Sequence, residues 1–269
     1  MKKITVVGAL FLAAVLSFAP CKVWAQSLNF NELQDRALQG NAVAQTQLGM
    51  LYDEGRGVPQ DYAKALAWYH KAAAQGHAAA QTNIGTKYAQ GHGVTQDYAQ
   101  ALVWYNKAIV QGYAPAQFNI GSIYAYGHGV AQDYAQALNW YRKAAAQGNA
   151  AAQYNLGVMY SDGRGVVQDN VQALAWYQRA ADQGDSSAQN NLGMMYVQGQ
   201  GVAVNHALSQ QWFLKAANSG NANAQFNLAM GYLTEDHDAA KNKKRALYWL
   251  NKAAKQGHTE AKVTLDKLQ

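Results

Sequence analysis

Cysteine is almost missing from this sequence. Its 269 residues hold one, Cys21, and that residue lies in an N-terminal segment that reads as removable. The remaining chain has no thiol and can form no disulfide, so packing must hold it together. Proline is scarce, with three residues, and charged residues make up only 14% against 49% hydrophobic. That is a globular composition and not a disordered one. Catalytic signatures are lacking too. There is no His-Glu-x-x-His, and the seven histidines are scattered, so no metal site is expected. No serine has a lysine three residues on: Ser122 is followed there by Ala125, Ser161 by Arg164 and Ser187 by Asn190. The Gly-x-Gly segments lack a third glycine at nucleotide-binding spacing and follow no strand, so they are helix breakers. No cofactor is implied.

What is there begins with an address. Lys2 and Lys3 precede an apolar stretch, Ile4 to Phe18, and the small-residue site Val23-Trp24-Ala25 follows. This predicts a signal segment over 1–25, cleavage after Ala25 and a mature chain starting at Gln26. The destination is then periplasmic or secreted, with no membrane span after cleavage. The alternatives are an uncleaved anchor, for which the run is short of the ~20 residues a bilayer needs, and a lipid-modified Cys21, which Pro20 disfavours. Without Lys2, Lys3 and Lys22, 19 basic residues face 16 acidic ones. The apparent basicity is therefore mostly a property of the leader.

Tryptophan recurs at Trp68, Trp104, Trp140, Trp176, Trp212 and Trp249, at spacings of 36 and finally 37 residues. An Ala-Gln pair recurs in phase, at Ala44-Gln45, Ala80-Gln81, Ala116-Gln117, Ala152-Gln153, Ala188-Gln189 and Ala224-Gln225. This is a tandem array. Each unit reads as two helices. Ala44, Leu48 and Tyr52 share one face of the first. Gly49, Gly85, Gly121, Gly157 and Gly193 sit inside these first helices, where glycine costs ~1 kcal/mol relative to alanine. Close helix–helix approach is the expected reason. A Gly-x-Gly-Val turn follows, as in Gly163-Arg164-Gly165-Val166, then an N-cap at Asp61, Asp97, Asp133, Asp169 or Asn205. The second helix carries Ala65, Trp68, Tyr69, Ala72 and Ala73, and ends at a glycine such as Gly76. Asn149, Asp185 and Asn221 suit the N-cap of the next first helix. The tryptophans are expected to bury ~150–250 Å² each.

The residues 152–160 (Ala-Gln-Tyr-Asn-Leu-Gly-Val-Met-Tyr), 163–166 and 173–181 (Ala-Leu-Ala-Trp-Tyr-Gln-Arg-Ala-Ala) resemble the Sel-one-like repeat family, relatives of the tetratricopeptide repeats. The resemblance covers about residues 30 to 268. It implies an all-α, right-handed α-solenoid of tandem antiparallel helix pairs, used as a scaffold or adaptor. Exported bacterial members are associated with envelope assembly, signalling and host contact. Some cysteine-rich relatives are linked to β-lactams, but the disulfides and Ser-x-x-Lys are missing here. The expected organisation is a signal segment at 1–25, a capping half-repeat at 26–40, six repeats over 41–256 and a capping helix at 257–269. Unit six departs most. Glu235-Asp236-His237-Asp238 replace its glycine turn, and unit five has Gln210 where Leu174 stands one unit earlier.

Two features are candidate binding sites. A polar column precedes the buried Leu or Ile of each first helix: Gln47, Asn83, Asn119, Asn155, Asn191 and Asn227. On the concave side expected of such arrays, these amides can grip a peptide backbone; equally, they can bond helix to helix. Lys87, Tyr126 and Met195, non-recurring neighbours, would supply specificity. The second feature is the C-terminal end, where residues 241–269 carry eight basic and two acidic side chains. It reads as a solvated cap or as a docking patch for an anionic partner such as phospholipid, glycan or acidic protein. His92 and His128 read as solvated turn histidines. The expected partner is a protein, nucleic acid being excluded by export and the lack of stacking loops. The alternatives are an envelope enzyme acting on peptidoglycan or β-lactams, and a secreted host-interaction factor.

Overall fold

The computed structural model describes residues 30–234 and 239–268. The expected signal segment and the Glu235–Asp238 stretch lie outside the described residues. Within them every regular element is an α-helix. The chain divides into two compact units, up to Ala116 and from Gln117. The first holds α1 (Phe30–Leu38), α2 (Ala42–Glu54), α3 (Tyr62–Ala74), α4 (Ala78–Gln90) and α5 (Tyr98–Ile109). The second holds α6 (Ala114–Tyr126) from Gln117 on, then α7 (Tyr134–Ala146), α8 (Ala150–Asp162), α9 (Asn170–Asp182) and α10 (Ser186–Gln198), which lead on through α11 (His206–Asn218), α12 (Ala222–Thr234) and α13 (Ala239–Lys255) to α14 (Thr259–Leu268). Within each unit a helix packs on its predecessor and its successor, the arrangement of a solenoid.

Local chemistry sets the helix ends. Asp61, Asp97, Asp133 and Asp169 accept from the backbone N–H groups of Lys64, Gln100, Gln136 and Gln172, and Asn205 from that of Leu208. Asn41, Asn149, Asp185 and Asn221 do the same for the first helices. Gly163 and Gly165 of one turn both have positive φ, 71° and 70°, where other residues are strained. A Cβ on Gly165 would also lie 2.7 Å from Tyr134 Cβ of the preceding repeat.

The helix-interior glycines are where helices touch. A Cβ on Gly49 would fall 2.6 Å from the Tyr69 ring, on Gly85 2.6 Å from Tyr105, on Gly157 2.5 Å from Tyr177 and on Gly193 2.5 Å from Phe213. An aromatic ring from the second helix lies against each of these glycines. The sixth repeat changes both partners together, with Ala229 in the glycine position and Leu250 in place of the ring.

Depth in the core differs from the expectation. Tyr69, Tyr105 and Tyr141 are at most 1% exposed, whereas Trp68, Trp104, Trp140 and Trp176 are only half-buried. The two neighbours point about 100° apart on the helix, and the glycine seat takes the tyrosine. Trp212 and Trp249 are buried.

The Ala-Gln landmark acquires a role. Its alanine is buried, and its glutamine links three helices. Gln153 donates to Ala145 O at 3.2 Å at the end of α7, and its Oε1 accepts from Gln183 at the end of α9 at 2.7 Å. The same carbonyl-to-amide link joins Gln75 to Gln45 (2.8 Å), Gln111 to Gln81 (3.1 Å), Gln147 to Gln117 (2.9 Å) and Gln256 to Gln225 (2.9 Å). A second glutamine pins each turn: Gln60, Gln96, Gln132 and Gln168 donate to the carbonyls of Asp53, Ala89, Ala125 and Ser161. The fifth repeat breaks both patterns, with Ser219 in the ladder position and Val204 in the pin position.

Candidate functional site

All five asparagines of the column lie on first helices and are half-buried. In the first unit, Asn83 hydrogen-bonds the hydroxyl of Tyr69. In the second, Asn155 donates to Ala151 O at 2.9 Å, one turn back on its own helix. Asn191 lies between the hydroxyls of Tyr154 and Tyr177. Asn227 donates to Asn190 Oδ1 of the preceding first helix at 3.0 Å. Asn119 is engaged as well. Each amide has two donors and two lone pairs, so these bonds spend part of its capacity. The phenols they meet are deep: burial pushes Tyr154 up to about 12, and raises Tyr69 and Tyr177 also, so these hydroxyls stay protonated.

The three expected specificity neighbours fare differently. Tyr126 is 46% exposed, but Lys87 is 5% exposed and Met195 3%. Lys87 occupies a core row that holds Ile123, Met159 and Met195 in other repeats. Its ammonium is buried because Asp53 Oδ1 lies 2.5 Å away and the Tyr62 ring at 5.1 Å. A buried pair of this kind is structural and leaves no free charge for a partner. In the second unit the equivalents of Asp53 and Lys87 are Ala125 and Met159, and the space they leave is a cavity of about 40 Å³. Tyr126, Tyr134, Tyr141, Asn155 and Arg164 line it. It brings Asn155 and Tyr126 together, yet holds no more than a water-sized group. Arg164 pairs with Asp162 at 2.7 Å on the surface.

The turn histidines are not simply solvated. His92 stacks on Tyr62 at 4.6 Å and His128 on Tyr126 at 5.7 Å. A further row escaped the sequence reading. Three residues after each tryptophan a cation covers its ring: Lys71 over Trp68 at 4.0 Å, Lys107 over Trp104 at 3.8 Å, Lys143 over Trp140 at 4.1 Å, Arg179 over Trp176 at 4.4 Å, Lys215 over Trp212 at 4.0 Å and Lys252 over Trp249 at 5.0 Å. The i, i+3 spacing was the available signal. Each second helix from α3 to α13 thus spends one of its basic residues on its tryptophan face. Among the described residues no three His, Cys, Asp or Glu side chains converge to hold a metal.

The family model described as the Sel1 repeat matches six successive segments, 42–77, 78–113, 114–149, 150–185, 186–221 and 222–258. The chain belongs to the Sel1 repeat family. Among solved structures, a Sel1 repeat protein from Oxalobacter formigenes is 32% identical with a TM-score of 0.76, over 85% of this chain and all of that one. The protective antigen c5321 of uropathogenic Escherichia coli, which displays the same fold, is 36% identical with a TM-score of 0.68 over 90% of this chain. This chain spans 59% of that antigen's length. The immunity protein Pa5087 of Pseudomonas aeruginosa, at 21% identity and a TM-score of 0.54 over 80% of this chain and 81% of its own, shares the fold. No curated protein matches the chain. Sel1 repeat proteins are in general protein-interaction scaffolds, and the fold is typically non-catalytic. In this Sel1 array the first helices offer half-exposed amides and the second helices a row of capped tryptophans. Both suit recognition by hydrogen bonding and apolar contact.

Proposed function

We propose that this Sel1 array is an exported scaffold that holds a protein partner along its first helices. The observation that carries this reading is the repeated half-exposed amide, Asn83 in the first unit and Asn119, Asn155, Asn191 and Asn227 in the second. An extended chain presents backbone polar groups every ~3.3 Å that need partners once desolvated. Repeated amides meet that need without demanding one sequence. Specificity falls to exposed neighbours such as Tyr126.

Export rests on the leader pattern in residues 1–25. The likeness to a protein described as a protective antigen supports an exposed location. In the same reading α1 serves as a cap of the first unit and α14 as a cap of the second. Two measurements test the proposal. N-terminal sequencing of the native protein should begin at Gln26; a retained Met1 in a cytoplasmic fraction overturns export, and a lipid-modified Cys21 overturns cleavage after Ala25. Affinity capture from the cell envelope, followed by mass spectrometry, should return a protein partner. Asn119→Ala/Asn155→Ala/Asn191→Ala should then lose that partner while circular dichroism stays helical. A folded triple variant that binds as well as the parent rejects the first-helix site. Turnover of a chromogenic β-lactam abolished by one point substitution would instead favour an enzyme.

A further inference from the structure

The C-terminal helix pair carries a second feature that the repeat pattern does not explain. α13 has 17 residues with six cations and no carboxylate. Its apolar side is already used: Ala246, Trp249, Leu250 and Ala253 are buried in a core shared with Leu228 of α12 and Leu265 of α14. The opposite side presents Lys244, Arg245, Tyr248 and Lys252, all exposed. Lys241, Lys244, Arg245, Tyr248 and Trp249 wall an open concavity of about 400 Å³. That is the size of a side-chain or small-ligand site.

These cations are additions to the repeat. At the points equivalent to Lys244 and Arg245, the second unit has Ala135, Val171 and Ala207, and Gln136, Gln172 and Leu208. Among the described residues, none of Lys244, Arg245 and Lys252 pairs with a carboxylate. Glu260 of α14 faces His258 instead. The Glu235–Asp238 stretch supplies three carboxylates in sequence before α13, half the number of its cations. The helix therefore keeps a positive surplus in its own neighbourhood.

We infer that this face of α13 docks an acidic protein segment bearing one aromatic or apolar side chain. The inference rests on the scaffold reading and names a partner chemistry for it. Arg245 offers the planar fork that takes a carboxylate by two bonds, with Lys244 beside it as a point charge, while Lys252 covers the Tyr248 and Trp249 rings on the same face. Tyr248, 54% exposed and edge-on to Trp249 at 4.9 Å, forms the aromatic wall of the concavity. A membrane surface fits less well. Interfacial helices insert an apolar face, and here that face is buried in the array, leaving Tyr248 as the large apolar group on the cationic side.

The test uses the whole mature chain and a short fluorescent peptide of alternating glutamate and aspartate with one central phenylalanine. A peptide with glutamine and asparagine in place of the acids, and vesicles of zwitterionic and anionic phospholipid in equal parts, are run alongside at the same ionic strength. The acidic peptide should bind, weakening as salt rises, and the neutral one should bind about tenfold or more weakly. K244E/R245E should lose about tenfold or more, and Y248S, which changes no charge, about threefold or more. Vesicles should not co-sediment with the protein. The inference is overturned by failure of the acidic peptide to bind; by full peptide binding by K244E/R245E, which puts the segment elsewhere; by full binding by Y248S, which leaves only diffuse charge; and by vesicle binding abolished by K244E/R245E without peptide binding, which assigns the face to lipid. If the peptide fails while envelope capture still returns a partner that needs the asparagines, this inference falls and the scaffold reading stands.

Discussion

Ser219 occupies the position, 36 residues after Gln183, from which a glutamine donates to the neighbouring first helix, and the Oε1 of Gln189 is consequently buried with no donor among the described residues. Gln189 keeps only the other half of its role, donating to Ala181 O at 3.1 Å. An unmatched buried acceptor costs ~1–3 kcal/mol.

Ser219→Gln is therefore expected to stabilise the protein by ~0.5–1.5 kcal/mol, the net value of one hydrogen bond, and Gln183→Ser to destabilise it. Native-state hydrogen exchange gives the clearest reading. In the parent, amides of residues 186–221 should exchange before those of 150–185, and Ser219→Gln should narrow the gap. An unchanged exchange profile would remove the ladder from the account of stability.

Gly157→Ala places a Cβ 2.5 Å from the Tyr177 ring. Overpacking of this kind costs ~1–3 kcal/mol. The sixth repeat shows the remedy, since Ala229 there coexists with Leu250. Gly157→Ala combined with Tyr177→Leu should cost less than the two single changes summed, by an interaction energy of ~0.5–3 kcal/mol. Additive losses in denaturant titration would show that the ring and the glycine are independent.

Tyr141→Ala should cost ~3–5 kcal/mol by analogy with other large aromatic truncations, and Trp140→Ala less, because Trp140 is half-buried beneath Lys143. In a quasi-one-dimensional array, loss in the middle uncouples both sides, so Tyr141→Ala should broaden the melt into steps. Trp249→Ala should mainly fray the C-terminal end. Equal and cooperative melts for all three contradict this ordering.

Acid should weaken the first unit before it reaches the carboxylates. Burial lowers the pKa of His70, with Lys107 adding to it, and burial lowers that of His77. In the unfolded chain both return to about 6.5. The unfolded chain thus takes up protons first, and stability is full above about pH 6.5 and declines as pH falls through the folded values. His70→Gln with His77→Asn should flatten the profile over the interval that begins at about pH 6.5 and extends below it. Asn at position 77 should also add the N-cap that His77 lacks and Asn149 makes. A parent whose melting temperature does not move over that interval refutes the assignment.

Features that depend on spacing along one helix were readable in the sequence. The Asp and Asn caps and the glycines beneath aromatic rings announce themselves because the same residue is needed at the same turn. Features that depend on neighbours 30 to 37 residues away were not. The partner of Gln45 is Gln75, and that of Lys87 is Asp53; no helical period connects them. Lys87 reads in sequence as an exposed variation, and only Asp53 makes its burial tolerable. The adjacent Trp140 and Tyr141 are both large enough to anchor a core, and the glycine opposite decides between them. The asparagine column was readable as a column, but an amide that donates and accepts suits a helix neighbour and a ligand alike.

The glutamine ladder also bears on how such a chain changes length over generations. Gln147 meets Gln117 by the same bond as Gln183 meets Gln153, so the joints on either side of residues 150–185 present matching ends. Recombination between two copies of the repeat, removing residues 150–185 whole, would bring Gln189 into the seat of Gln153, with Ala145 O still there to accept from it. Lineages can thus lose or gain a copy without inventing a new contact. The heritable unit is then the joint, and copy number is free to follow the size of what the protein must hold.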